Sequence, residues 1–388
     1  MAFFGNDAVN RVNLHYAVQS LAGAAGGLFF MVYLLHAEVS VSGALLAQAA
    51  IFAGRFVVRP AVLPLAKRWG LKPMVIIGAV LMAAQYPVMG QVHGVGPMLA
   101  LWCAVAAIGD VFYWPAYNAY FAAVGDAEHR GHQVSAREAM VAVVAIAGPL
   151  LGAWALVTLG PGPMFSAVGL VQAASALPLI GAPNVPVKAR APGAFRAAWL
   201  GVVLTVADGW FVAWFFLVWQ IVLFMALGQA FAAYGGAMAL AALVGAALGL
   251  LLGRHVDMGH GRRAVLIAAA VAMGVTGFRA VSVGSPWLAV AANALGPLVF
   301  SLIIPAFHTV LYNLAKASPC PMRFLIAAEG GWDIGCGSAC LVGAALAATT
   351  LPLSVTVLLA LPALAGSGWL LRRYYARQSA AAAARPLS

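Results

Sequence analysis

NVPVKARAPGAFR, residues 184–196, is the longest polar, proline-containing stretch of a chain that is otherwise almost continuously apolar. On its N-terminal side, runs long enough to cross about 30 Å of hydrocarbon fall near residues 12–36, 41–66, 73–92, 97–124, 134–159 and 162–183. On its C-terminal side the pattern recurs near 197–226, 229–252, 264–283, 286–314, 324–348 and 351–371. The stretch thus divides twelve predicted membrane helices six and six, giving a first bundle over 1–183, a linker over 184–196, a second bundle over 197–375 and a short tail over 376–388. The fold class implied is an all-α membrane protein of two pseudo-symmetric six-helix bundles.

Composition supports a bilayer as the solvent. Of 388 residues, 64% are hydrophobic and 8% charged, too little charge to cover a soluble domain of that length. The runs leave no room for an extramembrane domain, and the 42 Gly and 21 Pro suit closely packed or broken membrane helices. The first run is not followed by a cleavage site and a polar mature domain, so it is read as a retained helix. Cys103, Cys320, Cys336 and Cys340 lie in or beside apolar segments and read as small buried side chains rather than a disulfide framework.

The net charge of +11 invites a nucleic-acid reading, but the basic residues stand singly or in pairs between apolar runs rather than clustered on a solvated face. All but three of the 21 Lys and Arg fall on one side of a twelve-helix topology; Arg55, Arg59 and Arg279 lie inside helices. By the positive-inside rule both termini and the linker are expected in the cytoplasm, with the chain in a bacterial-type inner (plasma) membrane. The halves also echo each other. Pro115-Ala116-Tyr117-Asn118 in the fourth run matches Pro305-Ala306-Phe307-His308 in the tenth, with Glu138 and Glu329 each about one helix farther on, as in a parallel internal repeat around a central site.

Two loops carry a further pattern. After the eighth run the chain reads Gly253-Arg254-His255-Val256-Asp257, then Gly261-Arg262-Arg263; after the second it reads Ala66-Lys67-Arg68-Trp69-Gly70-Leu71-Lys72, with Lys67 where an Asp is expected. In these the sequence resembles the major facilitator superfamily, whose loop signature is G-x-x-x-D-R-x-G-R-R/K. In the fifth run Gly148-Pro149-Leu150-Leu151-Gly152 looks like the core of that family's antiporter motif. The plain alternative is a packing kink, since Gly and Pro permit close approach and a bend. The Arg often found in the fourth helix of the family's proton-coupled exporters is absent; Val105 stands near its place and Asp110 follows Gly109. The resemblance implies secondary transport by alternating access, with Arg68, Gly253, Asp257, Arg262 and Arg263 at a cytoplasmic gate.

An ionisable group inside a membrane helix is costly and points to function. The candidates for proton coupling are Asp110, Asp208, Glu329 and Asp333, with Asp110 and Asp208 ranked first as mid-helix carboxyls. The structural alternative for each is an ion pair, and Arg55 and Arg59, four apart on one helix face, are placed to neutralise Asp110. Glu138, beside Arg137, reads as structural. Gln19, Arg55, Tyr113, Trp114, Tyr117, Asn118, Trp210, Trp214, His308 and Tyr312 are the candidate lining of a substrate cavity, since aromatic faces hold an apolar body while amide and phenol groups orient it. His15 reads as a satisfied polar residue. Glu329, Asp333, Cys336 and Cys340 share one helical face and, with His308, offer a transition-metal alternative.

The leading expectation is a secondary transporter of a small organic solute, proton-coupled and working in export, not an enzyme. It needs no cofactor or resident metal and no nucleic acid; its partners are the solute, protons and membrane lipids, and it acts as a monomer. Uptake or export of an organic anion stays open because Arg pairs well with carboxylate or phosphate. Readings of another class, an intramembrane enzyme or a non-transporting assembly factor, stay open because fold does not dictate function.

Overall fold

A bilayer offers no partner to a free backbone N–H or C=O, so spanning segments must close their hydrogen bonds internally. The computed structural model, which describes residues 6–124, 130–256 and 261–383, is accordingly helical, with no strand among the described residues. The long helices are α1 (Asp7–His36), α2 (Val41–Trp69), α3 (Leu71–Met89), α4 (Pro97–Val124), α5 (Arg130–Thr158), α6 (Pro161–Leu179), α7 (Trp199–Ala226), α8 (Phe231–Val256), α9 (Gly261–Ser282), α10 (Pro286–Ala317), α11 (Pro321–Ala347) and α12 (Leu353–Ala376). All but α11 are apolar enough to cross a membrane on composition. That helix, 27 residues long, packs between α2 and α7 and turns Arg323 and Asp333 into the protein.

Helix ends follow local chemistry. The first helix begins at Asp7 rather than near residue 12 because Asn6 caps it, its side-chain oxygen accepting from Val9 N at 3.1 Å. Proline opens α6, α10 and α11, where a missing N–H costs nothing. In α2 a 3₁₀ turn at Arg59–Ala61 precedes a last segment to Trp69. The fifth helix starts at Arg130, which puts Arg137 inside it rather than in a loop.

The linker is stitched to the first six helices. Leu71 N donates to Val185 O at 2.8 Å, Lys72 N donates to Asn184 Oδ1 at 3.2 Å, and Asn184 Nδ2 donates to Trp69 O at 2.8 Å. Gly70 makes this possible: its φ is +86°, a region open to glycine, and a Cβ there would strike the Asn184 side chain. From the other half, Arg323 donates to Ala189 O at 2.9 Å.

The first and last six helices meet mainly through α2 against α11 and α5 against α8. At the end away from the termini, Phe29 of α1 packs on Phe231 and Tyr234 of α8, Phe224 of α7 closes on the same two rings, and Tyr234 donates to Leu28 O at 3.2 Å. Beside them Ser42 of α2 donates to Ala344 O of α11 at 2.9 Å. This end is shut by ring contacts and interhelical hydrogen bonds. The charged residues lie farther along the same α2–α11 seam, toward the termini.

Candidate functional site

Arg55 and Arg59 stand one turn apart on α2, and Glu329 and Asp333 one turn apart on α11, so each pair shares a face. The two helices run antiparallel, which sets the pairs opposite each other in register. Arg55 Nε lies 2.9 Å from Asp333 Oδ1, Arg59 grips the other oxygen of Asp333, and Arg59 Nη1 lies 3.2 Å from Glu329 Oε2. Arg55 Nη1 also reaches Asp110 Oδ2 on α4 at 3.1 Å. The result is a ladder in the order Asp110, Arg55, Asp333, Arg59, Glu329, with carboxyls at both ends.

Its parts differ in access. The Asp333 side chain is fully sealed, whereas those of Asp110 and Glu329 are 22% and 18% exposed. The Arg55 guanidinium is roofed by Phe52 and Trp332, 5.6 and 5.3 Å from their ring centres, and Asn118 of α4 donates to Glu329 at 3.4 Å. Two guanidiniums face three carboxyls, so one negative charge is left over when all are ionised. Removing one partner of such a buried pair costs about 3–5 kcal/mol, because the other charge is stranded.

Closer to the termini, Arg137 of α5 lies over Tyr16 of α1 and Phe121 of α4, 5.0 and 4.8 Å from the ring centres, and donates to Tyr117 Oη at 3.5 Å. It acts electrostatically on His308 and Tyr312 of α10 across the space between the halves. Tyr312 is exposed and sits edge-on to His308. The other residues expected to line a cavity are more deeply placed. Tyr113 and Tyr117 are buried and stacked on each other, with Trp114 against both. Tyr113 Oη meets His15 Nε2 at 2.9 Å, and His15 Nδ1 meets Ser175 O at 2.7 Å, so both imidazole nitrogens are used inside the first half. Gln19 and Trp214 are buried, and Trp210 donates to Leu359 O at 2.7 Å.

Asp208 is not in the ladder. It lines a small cavity of about 30 Å³ among α7, α9, α10 and α12, near Phe211, Phe307 and Ser367, with Trp332 as its side-chain partner. Arg279, the third intramembrane arginine, has no carboxylate among its described partners. It donates to Phe215 O and, at 3.5 Å, to Ala292 O, and its guanidinium lies 3.9 Å from the Phe215 ring centre and 4.7 Å from that of Trp219. Phe215 is in a π turn, Ala213–Val218, after which Trp219 N donates to Phe216 O; the slip frees the Phe215 carbonyl for Arg279.

The Gly148-Pro149-Gly152 stretch of α5 lets two neighbouring helices come close. A Cβ on Gly148 would meet Ala24 Cβ of α1 at 2.5 Å, one on Gly152 would collide with Ala25 O, and one on Gly235 of α8 would meet Pro149 O at 2.6 Å. The motif therefore binds α1, α5 and α8 where the two halves touch. The sequence profile described as Major Facilitator Superfamily matches residues 13–319. The chain belongs to that superfamily.

It is therefore an integral membrane transporter with the superfamily's twelve-helix architecture. The crystal structure of the human organic anion transporter MFSD10 (TETRAN) superposes with a TM-score of 0.69, covering 94% of this chain and 99% of that one at 14% identity, a likeness of fold. No curated protein matches the chain by sequence. Of the superfamily's loop signature, Arg68 is exposed in the last turn of α2, while Asp257, the surroundings of Gly253 and the side chains of Arg262 and Arg263 lie outside the described residues, as does the side chain of Glu138. On α11, Cys336 donates to Gly209 O at 3.0 Å, and no group of three His, Cys, Asp or Glu with metal-binding placement occurs among the described residues.

Sequence reasoning singled out the ladder's acids and named both arginines as ion-pair candidates for Asp110, but missed that Arg59 pairs with Glu329 and Asp333 instead and that Arg137 packs on Tyr16, Tyr117 and Phe121. The spacing of Arg55 and Arg59 held the first signal; the second was within reach, since Arg137 falls inside the expected 134–159 run although it was counted with the loop-borne charges.

Proposed function

We propose that this transporter exports a small amphipathic organic solute in exchange for protons, by rocking of the 1–183 and 197–375 halves about the 184–196 linker. The observation that carries the reading is the ladder, which ties the two moving halves through charges that number two against three. A proton on one carboxyl balances it. Glu329 is the natural holder: it is partly exposed and bonds across the seam to a single guanidinium, whereas Asp333 is sealed and held by both. Protonating Glu329 loosens Arg59 from it, and the halves separate along the α2–α11 seam. Movement between a dry interface and water then exchanges the proton. Export is supported by the antiporter-like α5 motif, and a cytoplasmic position for both termini and the linker by the positive-inside distribution.

A second reading, transport of an organic anion, draws on Arg137 beside Tyr117, Tyr312 and His308, a cation among hydrogen-bonding aromatic groups, and on the similar fold of a human organic anion transporter. Purified protein in liposomes tests both. An imposed pH difference should drive saturable solute accumulation, and Glu329→Gln should abolish the accumulation while leaving solute binding in place. Flux indifferent to the pH difference, or accumulation that survives in both Glu329→Gln and Asp110→Asn, would sink the proton-coupled reading.

A further inference from the structure

Helix α6 ends in a 3₁₀ turn, Leu177–Leu179, where the last carbonyls carry the negative pole of the helix dipole. Two cations from neighbouring helices converge there. Lys72 Nζ of α3 donates to Ile180 O at 3.3 Å, and the Arg11 guanidinium of α1 lies so close to Gly181 that a Cβ on that residue would stand 2.5 Å from its Nη1. Capping a helix end explains part of this arrangement, but it leaves donors over. Asp7 accepts from Arg11 Nε at 2.7 Å, whereas the Arg11 Nη groups have no hydrogen-bond acceptor among the described residues, and Lys72 spends only part of its ammonium on Ile180. Lys72 also stands in the first turn of α3, where a cation opposes that helix's own dipole. No acidic residue occurs between Glu38 and Asp110 or between Glu138 and Asp208, so α2, α3, α6 and the linker bring no carboxylate to this corner. Deeper in the membrane the surface turns apolar: Leu14, one turn along α1 from Arg11, and Leu177 and Ile180 at the end of α6 are each more than half exposed.

We propose that this corner binds one anionic phospholipid, its phosphate between Arg11 and Lys72 and its acyl chains over Leu14, Leu177 and Ile180. The inference goes beyond the transport reading above and does not depend on it. The bilayer and the charges together select the occupant. Some lipid must cover the exposed apolar residues of a membrane-spanning surface, and the two cations above them decide which head group sits there. Arg and Lys give charge-assisted hydrogen bonds to phosphate oxygens, and basic pockets between membrane helices at head-group level favour anionic lipids. A zwitterionic head group carries its own cation, which Arg11 and Lys72 repel. Free phosphate offers the same oxygens but has no chain to lie on the apolar patch. The backbone N–H of Lys72 also makes the bond to Asn184 that stitches the linker to α3, so a lipid held at this corner braces that joint.

The test uses the full chain in detergent micelles, titrated with phosphatidylglycerol and with phosphatidylcholine of the same acyl chains, and read by native mass spectrometry and by melting temperature. One phosphatidylglycerol should stay bound and raise the melting temperature, and phosphatidylcholine should bind about tenfold more weakly, equivalent to ~1.4 kcal/mol. In vesicles, a photoreactive phosphatidylglycerol should label residues 11–18 and 177–182 ahead of the other lipid-facing segments. Arg11→Gln or Lys72→Gln should each reduce the preference about threefold, half of it on the logarithmic scale, and the two together should abolish it, whereas Lys72→Arg should retain it. Arg190→Gln removes an exposed charge of the linker and should leave the preference unchanged. Should the glutamine variants fail to fold, photolabelling of the unaltered chain decides the matter. Equal affinity for the two lipids, labelling spread evenly over the lipid-facing helices, an equal loss of preference in Arg190→Gln, or stabilisation reproduced by inorganic phosphate alone would overturn the proposal.

Discussion

Arg59 and Arg279 are both sealed inside membrane helices, and the protein satisfies them by opposite means. Arg59 pairs with carboxylates that belong to the other half of the chain, across a seam that must open. Arg279 stays within one half, held by two backbone carbonyls and two aromatic faces, one of those carbonyls released by a slip in the helix that carries it. Carboxylate partners can be neutralised by protons and exchanged; carbonyls and rings cannot. The difference separates a charge that takes part in motion from one that rivets α9 to α7 and holds the π turn open.

The hardest way to break this comparison is to remove Arg59. Arg59→Ala strands Glu329 and Asp333, so folded protein is expected to lose about 3–5 kcal/mol of stability and transport is expected to fall to background. A double replacement by Leu at Arg59 and Asp333 should recover much of the thermal stability but none of the flux, measured by melting in detergent and uptake in liposomes. If the double variant transports, the ladder is scaffolding only. Next in size is Glu329→Gln, which keeps shape and hydrogen bonding. Solute affinity should change by less than about tenfold, ~1.4 kcal/mol, while flux loses its response to an imposed pH difference.

Arg279→Met sharpens the contrast from the other side. It leaves two carbonyls without a donor and should cost about 1–3 kcal/mol of stability, yet flux per folded molecule should stay pH-driven; loss of pH response at normal stability would put Arg279 in the working machinery. The smallest effect is expected at Asp208, whose pairing lies outside the ladder. Asp208→Asn should leave pH-driven accumulation within about twofold of the parent, because its link to the ladder runs through the neutral Trp332 ring and coupling through one shared neighbour starts at about 0.5 kcal/mol; a complete loss of coupling would move the proton from Glu329 to α7.

What the sequence made legible follows from which constraints are local. Twelve spans could be read because the bilayer demands long apolar runs, and α11 could be included despite Glu329 and Asp333 because its apolar flank continues to Ala347. The i, i+4 spacings of Arg55 with Arg59 and of Glu329 with Asp333 announced two charged faces. Nothing in either spacing says which face meets which, and the expected partner of the arginines was Asp110 alone. The ladder depends on an antiparallel contact between segments 274 residues apart, a property of the packed bundle. The aromatic residues of α4 were legible as a cluster, but Tyr113 is turned into the first bundle by its bond to His15 rather than into the central space. The π turn of α7 is invisible in composition, because a slipped hydrogen bond leaves no mark on Ala213-Trp214-Phe215-Phe216.

The ladder also orders events at the ribosome. A chain is made and inserted from its N-terminus, so α2 enters the membrane long before α11 exists. Arg55 finds Asp110 only 55 residues later, while Arg59 must wait for carboxylates about five times farther down the chain, 270 and 274 residues on. During that interval the nascent first half carries an unmatched cation, and α11 arrives as the segment that quenches it. Assembly of the two halves is thereby tied to completion of the chain: a product truncated before Pro321 would keep Arg59 exposed to hydrocarbon, a mark by which membrane quality control can tell unfinished protein from finished.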